Sequence, residues 1–166
     1  MDSDIHGSEV GSTEYSIGPV EPAWASCLTS IAFAAKAHWG YPAHWLYAWR
    51  EALTLTPRQI RESMTRACIF KNTLVGFYSV TWNGHTADLR HLWILPATMS
   101  QGIGRALFAH AESAARAAGC LVLEIEAEPH AQGFYTRMGA SIVGYHEGQV
   151  EGTLRRLPLM TKSLVC

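Results

Sequence analysis

The sequence predicts an α/β fold, a mixed sheet flanked by helices. Three observations predict it. The apolar run Leu92, Trp93, Ile94 and Leu95 stops at Pro96, and Gly102 and Gly104 then open a long helical pattern. That order reads as strand, glycine turn and helix. Asn83 and Gly84 stand between two strand-like segments, a dipeptide that favours a tight hairpin. Strand and helix patterns are interspersed along the chain without an internal repeat or a low-complexity tract, which makes the sheet mixed.

The elements follow in order. Residues 1–12, acidic and small, read as a flexible lead, and residues 13–166 as one domain. Residues 14–18 read as a short strand. Residues 22–38 are alanine-rich, with Trp24, Leu28, Ile31 and Ala35 at helical spacing. Gly40, Tyr41 and Pro42 end that helix, and Pro42 starts a second over 43–53. Thr56 and Pro57 suit the cap and first position of a third, running to about residue 65. Residues 66–71, 73–82 and 86–95 read as three strands joined by turns at Asn72 and at Asn83 and Gly84. Residues 102–118 form a helix with Ile103, Leu107, Ala111, Ala114 and Ala118 on one face, and Gly119 suits its C-terminal stop. A strand over 121–127, a short helix over 129–138 stopped by Gly139, and strands over 140–145 and 153–162 complete the chain. Residues 146–152 read as a loop.

Composition bounds the function. The 166 residues suit one domain with a real core. They are 48% hydrophobic and 16% charged, which excludes bulk disorder. A formal net charge of −1 supplies no global basic field, so neither nucleic acid nor an anionic membrane is expected as partner. Cys27, Cys68, Cys120 and Cys166 form no Cys-x-x-Cys pair and suit free thiols in a reducing compartment. His38, His44 and His85 lack the clustering of a metal site, so no metal is expected. With no signal-like start and no apolar run near ~18 residues, a cytoplasmic protein is expected.

The chemistry begins at the glycines. A helix start carries N–H groups without intrahelical partners and about half a positive charge, so it attracts anions, and glycine lets the backbone approach a phosphate closely. No Lys-Ser/Thr follows these glycines as a P-loop needs, and Leu107 stands where a dinucleotide fingerprint needs its third glycine. What remains is Gln101, Gly102, Ile103, Gly104, Arg105, Ala106 and Leu107 after a strand that ends in proline.

With its surroundings this segment resembles the GNAT superfamily of N-acetyltransferases. The resemblance runs from about Tyr15 to Leu164. It rests on residues 91–96, on 102–107, and on 128–140, where Pro129, Ala131, Phe134, Tyr135 and Gly139 match a recurring pattern of that family. It implies a mixed, mostly antiparallel sheet of about six to seven strands. Its fourth and fifth strands would splay to form a groove for coenzyme A. It implies acetyl-CoA as donor and a small-molecule or peptide amine as acceptor, in a direct ternary complex; a homodimer is compatible with it. A non-catalytic acyl-CoA sensor or regulatory module is the alternative.

The resemblance also implies roles for residues. The pyrophosphate would sit on N–H groups around Gln101, Gly102, Ile103, Gly104 and Arg105, and the pantetheine arm would pair with Leu92, Trp93 and Ile94. The Leu92 N–H would polarise the thioester carbonyl. Tyr135 would contact the sulfur and protonate the leaving thiolate. The base is open between Asp88, His91, Glu126, Glu128 and a water chain. A bulge would decide which of Asp88 and His91 share a face. Met99 stands where the family usually places Arg or Gln, and His130 where it usually places Asn; Met99 keeps its N–H and His130 a ring donor. Trp39, Tyr41, Trp45, Tyr47 and Trp49 either wall the acceptor pocket or pack helices together. Glu147 in the 146–152 loop would suit an amine acceptor.

Overall fold

The computed structural model describes residues 14–165. The expected lead over 1–12 and Cys166 lie outside them. Seven strands form one sheet in the order β1-β2-β3-β4-β5-β7-β6. They are β1 (Tyr15–Pro19), β2 (Met64–Phe70), β3 (Thr73–Asn83), β4 (Thr86–Ile94), β5 (Val122–Glu126), β6 (Ser141–Val150) and β7 (Thr153–Ser163). Only β4 and β5 run parallel.

The helices cover both faces. On one lie α1 (Ala25–Ala37), α2 (Ala43–Ala48), α3 (Arg50–Leu53) and α4 (Pro57–Glu62). Leu28, Ile31 and Ala32 of α1 pack with Leu53, Ile60 and the sheet residues Ala67 and Phe77. On the other lie α5 (Ile103–Ala117) and α6 (Gln132–Arg137). Here Ile103, Leu107, Phe108 and Ala111 are fully buried beside Tyr78, Val80 and Leu123. A sheet with two faces to cover explains why β3 is buried almost without alternation over residues 75–80.

Local chemistry sets the boundaries. Thr56 and Gln59 form a reciprocal capping box at the start of α4. Gly119 and Gly139 take positive φ after α5 and α6. At those ends the N–H groups of Cys120 and Ala140 reach back to Ala115 O and Tyr135 O, the closure that left-handed C-terminal stops make. Four expectations are corrected. The single helix over 43–53 is broken at Trp49 into α2 and α3. The helix expected to residue 65 stops at Glu62, because Ser63 is extended and the chain enters β2 at Met64. Residues 22–24 make a 3-10 turn before α1 rather than its first turn. Residues 146–152 are not a loop. β6 continues to Val150, and only Glu151 and Gly152, both at positive φ, make the turn into β7. Two consecutive residues at positive φ give the twist that lets a two-residue hairpin close.

The sheet is deformed at one place. On β3, the neighbours Ser79 and Val80 face His91 and Leu89 of β4, so Arg90 is an extra residue, a bulge. Beyond it the ladder to β5 stops: the last parallel pair is Leu89 with Ile125. The two strands separate from there.

Gly76 on β3 keeps β4 in place after the bulge. A Cβ there would stand 2.9 Å from the Trp93 carbonyl oxygen, which is main chain and cannot swing aside. Gly76→Ala is expected to cost about 1–3 kcal/mol and lower the melting temperature by roughly 2–12 °C. Gly18→Ala, whose Cβ meets nothing within 4 Å, serves as control and is expected to leave it nearly unchanged. Equal melting of the two variants in a thermal scan would contradict this packing.

Candidate active site

The separation of β4 and β5 opens a cleft of about 620 Å³. Leu89 to Ile94 form one wall and Ile125 to Glu128 the other. The β4 wall keeps backbone groups free. The Leu95 N–H donates to Val75 O, 2.7 Å away on β3. Strand residues alternate in direction, so Trp93 and His91 also point their main-chain groups to β3. Leu92 and Ile94 point theirs into the cleft. An extended, amide-bearing ligand can pair with them as an extra strand would.

At one end of the cleft stands the start of α5. A 3-10 turn over Pro96–Thr98 leads to Gly102, whose φ of 78° admits glycine readily. The N–H groups of Met99 and Gln101 are already bonded within this turn, to Pro96 O and Thr98 O. That corrects the expectation that both would face an anion. Ala106 is the first residue to bond back into the helix, to Gly102 O. The orphan donors of the helix start are therefore Gly102, Ile103, Gly104 and Arg105. The Ile103 side chain is fully buried, so only its backbone serves here. Gly104 keeps the approach narrow: a Cβ would lie 3.3 Å from Ile94 Cδ1. Arg105, Arg137 and Met99 line this end. Backbone donors with two guanidinium groups fit a pyrophosphate, and the free edge of β4 fits a pantetheine arm.

Tyr135 lines the cleft at 7% exposure, packed against Phe108 and Phe134. Burial, and then the Glu128 carboxylate, push its phenol well above the ordinary tyrosine value. It therefore keeps its proton at neutral pH.

Each candidate base has a distinct environment. The bulge at Arg90 turns Asp88 and His91 to the same face of β4: Leu89 and Leu92, three apart, both pack on the α5 side. Asp88 is half-exposed, bonds Arg90 at 2.9 Å, and is not among the cleft-lining residues. His91 lines the cleft, but its Nδ1 accepts from Trp93 Nε1 at 3.0 Å. The proton of the neutral ring then sits on Nε2, which leaves no free lone pair. Burial, helped by Arg90, lowers its pKa to about 4. Glu126 lines the cleft half-exposed, 3.3 Å from His146 Nδ1.

Glu128 anchors the other end of the cleft. Its side chain is 8% exposed. It accepts from Lys36 Nζ, from Tyr41 OH at 2.5 Å, and from the His130 backbone N–H at 3.4 Å. His130 Nδ1 lies 2.9 Å away. Burial alone would raise its pKa, but the Lys36 ammonium and these bonds outweigh it and hold the carboxylate at about 2. Burial brings Lys36 below the ordinary lysine value against the pull of Glu128. Arg155 Nη2 donates to Tyr41 OH at 2.8 Å and stands 3.9 Å from Glu128. Rings enclose the group: Lys36 and Arg155 lie 4.3 and 4.8 Å from the Trp49 centroid. Trp39 stacks on His130 at 5.0 Å.

Of the rings anticipated for an acceptor wall, Trp39 and Trp49 line the cleft, together with the candidate bases Glu126 and Glu128. Tyr41 stands behind them through its bonds to Glu128 and Arg155. Trp45 packs on Tyr41 and Trp49 outside the lining. Glu147 sits on the β6–β7 hairpin, exposed, 3.8 Å from Arg156. Lys36, Arg90, Arg137 and Arg155 also line the cleft and were not anticipated. Lys36 had a signal: it continues the Leu28 and Ala32 spacing, a cation on the apolar face of a helix. Arg155 had none, because only the register of β7 brings it here. Among the described residues there is no group of three His, Cys, Asp or Glu that could hold a metal ion, and no helix long and apolar enough to cross a membrane.

His91 makes stability depend on pH. Its pKa is about 4 here against the ordinary 6.5, so the unfolded chain binds more protons between those values. Its contribution is complete above pH 6.5 and is lost as pH falls toward 4. Glu128, at about 2 against 4.5, acts in the same sense in the next window down. Urea unfolding of the wild type is expected to show stability rising from pH 4 to 6.5, and His91→Asn to flatten that rise. An unchanged slope in the variant would contradict the buried neutral imidazole.

Comparison with known proteins agrees with this geometry. The family model described as Acetyltransferase (GNAT) family matches residues 25–140. No curated protein sequence matches. Solved structures share the fold. One is a GCN5-related N-acetyltransferase from Rhodopseudomonas palustris, 22% identical, with TM-score 0.75 over 89% of this chain and 94% of that one. Another is PaiA N-acetyltransferase from Thermoplasma acidophilum in complex with coenzyme A, 18% identical, with TM-score 0.68 over 90% and 98%. A third is the ribosomal-protein-S18-alanine N-acetyltransferase from Escherichia coli, 16% identical, with TM-score 0.70 over 92% and 95%. With the parted parallel strands, the glycine helix start and a family match over most of its length, this chain belongs to the GNAT acetyltransferase family.

Proposed function

We propose that the protein is an N-acetyltransferase that passes an acetyl group from acetyl-CoA to an amine bound in the same cleft. The observation that carries this reading is the position of Tyr135. A buried, protonated phenol lines the same cleft as the free edge of β4 and the Glu128 cluster.

Acetyl-CoA supplies a thioester for the amine to attack. The helix-start donors Gly102 to Arg105, with the Arg105 and Arg137 guanidinium groups, hold its pyrophosphate. The Leu92 and Ile94 main-chain groups hold the pantetheine in line along β4. The Leu92 N–H then donates to the thioester oxygen, where negative charge develops. Tyr135 Oη gives its proton to the departing sulfur. Holding amine and thioester together supplies a large share of the rate.

The amine must lose a proton, and we assign that role to a Glu126 carboxylate oxygen, through a water. Three observations favour Glu126 over the other candidates. Glu128 is ion-paired with Lys36 and accepts from protein donors on both oxygens, the His91 Nδ1 lone pair is occupied by Trp93, and Asp88 is paired with Arg90 outside the cleft lining.

Tyr135→Phe is expected to lower kcat by about a hundredfold or more while the dissociation constant of acetyl-CoA stays nearly constant. The readouts are thiol release with amine acceptors and calorimetry. Full activity in this variant would overturn the role of Tyr135. Glu126→Gln is expected to lower kcat/KM by about tenfold or more with the dissociation constant of acetyl-CoA unchanged. Wild-type kcat/KM in this variant would assign the base elsewhere.

A further inference from the structure

We propose that the acceptor is an amine that also carries a carboxylate, such as a free amino acid, and that Arg155 and Lys36 bind that carboxylate. The inference rests on the transfer reading above and names the acceptor class of the same cleft.

Charge carries the argument. Three charged side chains meet on the cleft lining: Lys36 comes from α1, Arg155 from β7, and Glu128 from the segment after β5. Their side chains are 11%, 13% and 8% exposed. Tyr41 and His130 complete the group, and the Tyr41 phenol is pushed well above its ordinary value by burial and by Glu128, so it stays neutral. Two buried cations thus share one carboxylate. Lys36 makes the direct ion pair, whereas Arg155 stands 3.9 Å away, beyond hydrogen-bond range. Among the described residues, Arg155 makes a single side-chain hydrogen bond, from Nη2 to Tyr41 OH. A guanidinium has five N–H donors in a fork that matches a carboxylate. An unmatched cation in a desolvated site is costly, and an anion from the ligand removes that cost.

The same arrangement discriminates. Glu128 is a poor site for a substrate ammonium, because both oxygens already accept from protein donors and two cations already stand beside it. A diamine or polyamine would bring further positive charge against Lys36 and Arg155. The same cleft also offers a carboxylate with no lysine or arginine partner among the described residues: Glu126, half-exposed beside His146, can draw the reacting amine. Cations at Arg155 and Lys36 and a carboxylate at Glu126 thus line one cleft. An amino acid carries the matching pair of charges.

Two measurements on the full chain test this. The first is thiol release from acetyl-CoA with the standard amino acids, their carboxamides and aliphatic diamines. The better amino acids are expected to exceed their own amides by about tenfold to a hundredfold in kcat/KM, the effect of one or two charge-assisted hydrogen bonds. Arg155→Gln is expected to abolish that preference, and Arg155→Lys to retain part of it, with acetyl-CoA affinity unchanged in both as the check on folding. The second measurement needs no turnover: calorimetry of N-acetyl amino acids and N-acetyl amino acid amides on the CoA-saturated protein. Binding of the acids alone, lost in Arg155→Gln, supports the inference even where no acetyl transfer occurs, in which case the transfer reading is what fails. Equal binding of acids and amides, or a preference for diamines, overturns it.

Discussion

Everything that makes this chain chemically capable depends on the failure of two parallel strands to stay together. β4 and β5 pair from Thr86 with Val122 to Leu89 with Ile125 and then part. The extra residue at Arg90 coincides with that parting. A bulge increases local twist and interrupts the ladder, and a strand without its neighbour keeps polar groups that need partners. Here the sheet leaves that need open to a ligand, in a cleft covered by helices on both faces. Gly76 lets β3 hold β4 from the other side at close range, so the parting does not unravel the strand.

The two ends of the cleft use opposite sources of charge. At the α5 end the groups are mostly backbone: the donors of a helix start, set by Gly102, with Arg105 and Arg137 beside them. Fixed dipoles suit a ligand with a constant phosphate geometry. At the Glu128 end the groups are side chains from α1, β7 and the segment after β5, held in an aromatic frame. Side chains from several elements can be changed one at a time, which suits the acceptor-selecting role proposed for this end. Tyr135 lines the same cleft, and burial keeps its proton in place.

Much of the fold was legible because local chemistry marks it. Thr56 and Pro57, Asn83 and Gly84, Pro96, Gly119 and Gly139 stand at real boundaries. The start of α5 was legible for the same reason, since a glycine helix start after a strand is a local pattern. What was hidden depends on pairing between distant segments. The reach of β6 to Val150 is set by its register with β7, and with it the position of Arg155. The engagement of Met99 and Gln101 in the 3-10 turn is a matter of backbone geometry that residue types do not record. The occupied lone pair of His91 arises because Trp93, two residues on along the same face, turns its indole N–H back to it. Lys36 alone was both hidden and signalled, by a cation on an apolar helix face.

The central claim is that the parted edge of β4 and the start of α5 together hold the donor. Amide hydrogen exchange with and without acetyl-CoA tests it most directly. The account predicts that binding protects Leu92 and Ile94, with Gly102 to Arg105, while His91 and Trp93, already bonded toward β3, change little. Binding without added protection at these amides, or with protection confined to another edge of the sheet, would contradict it.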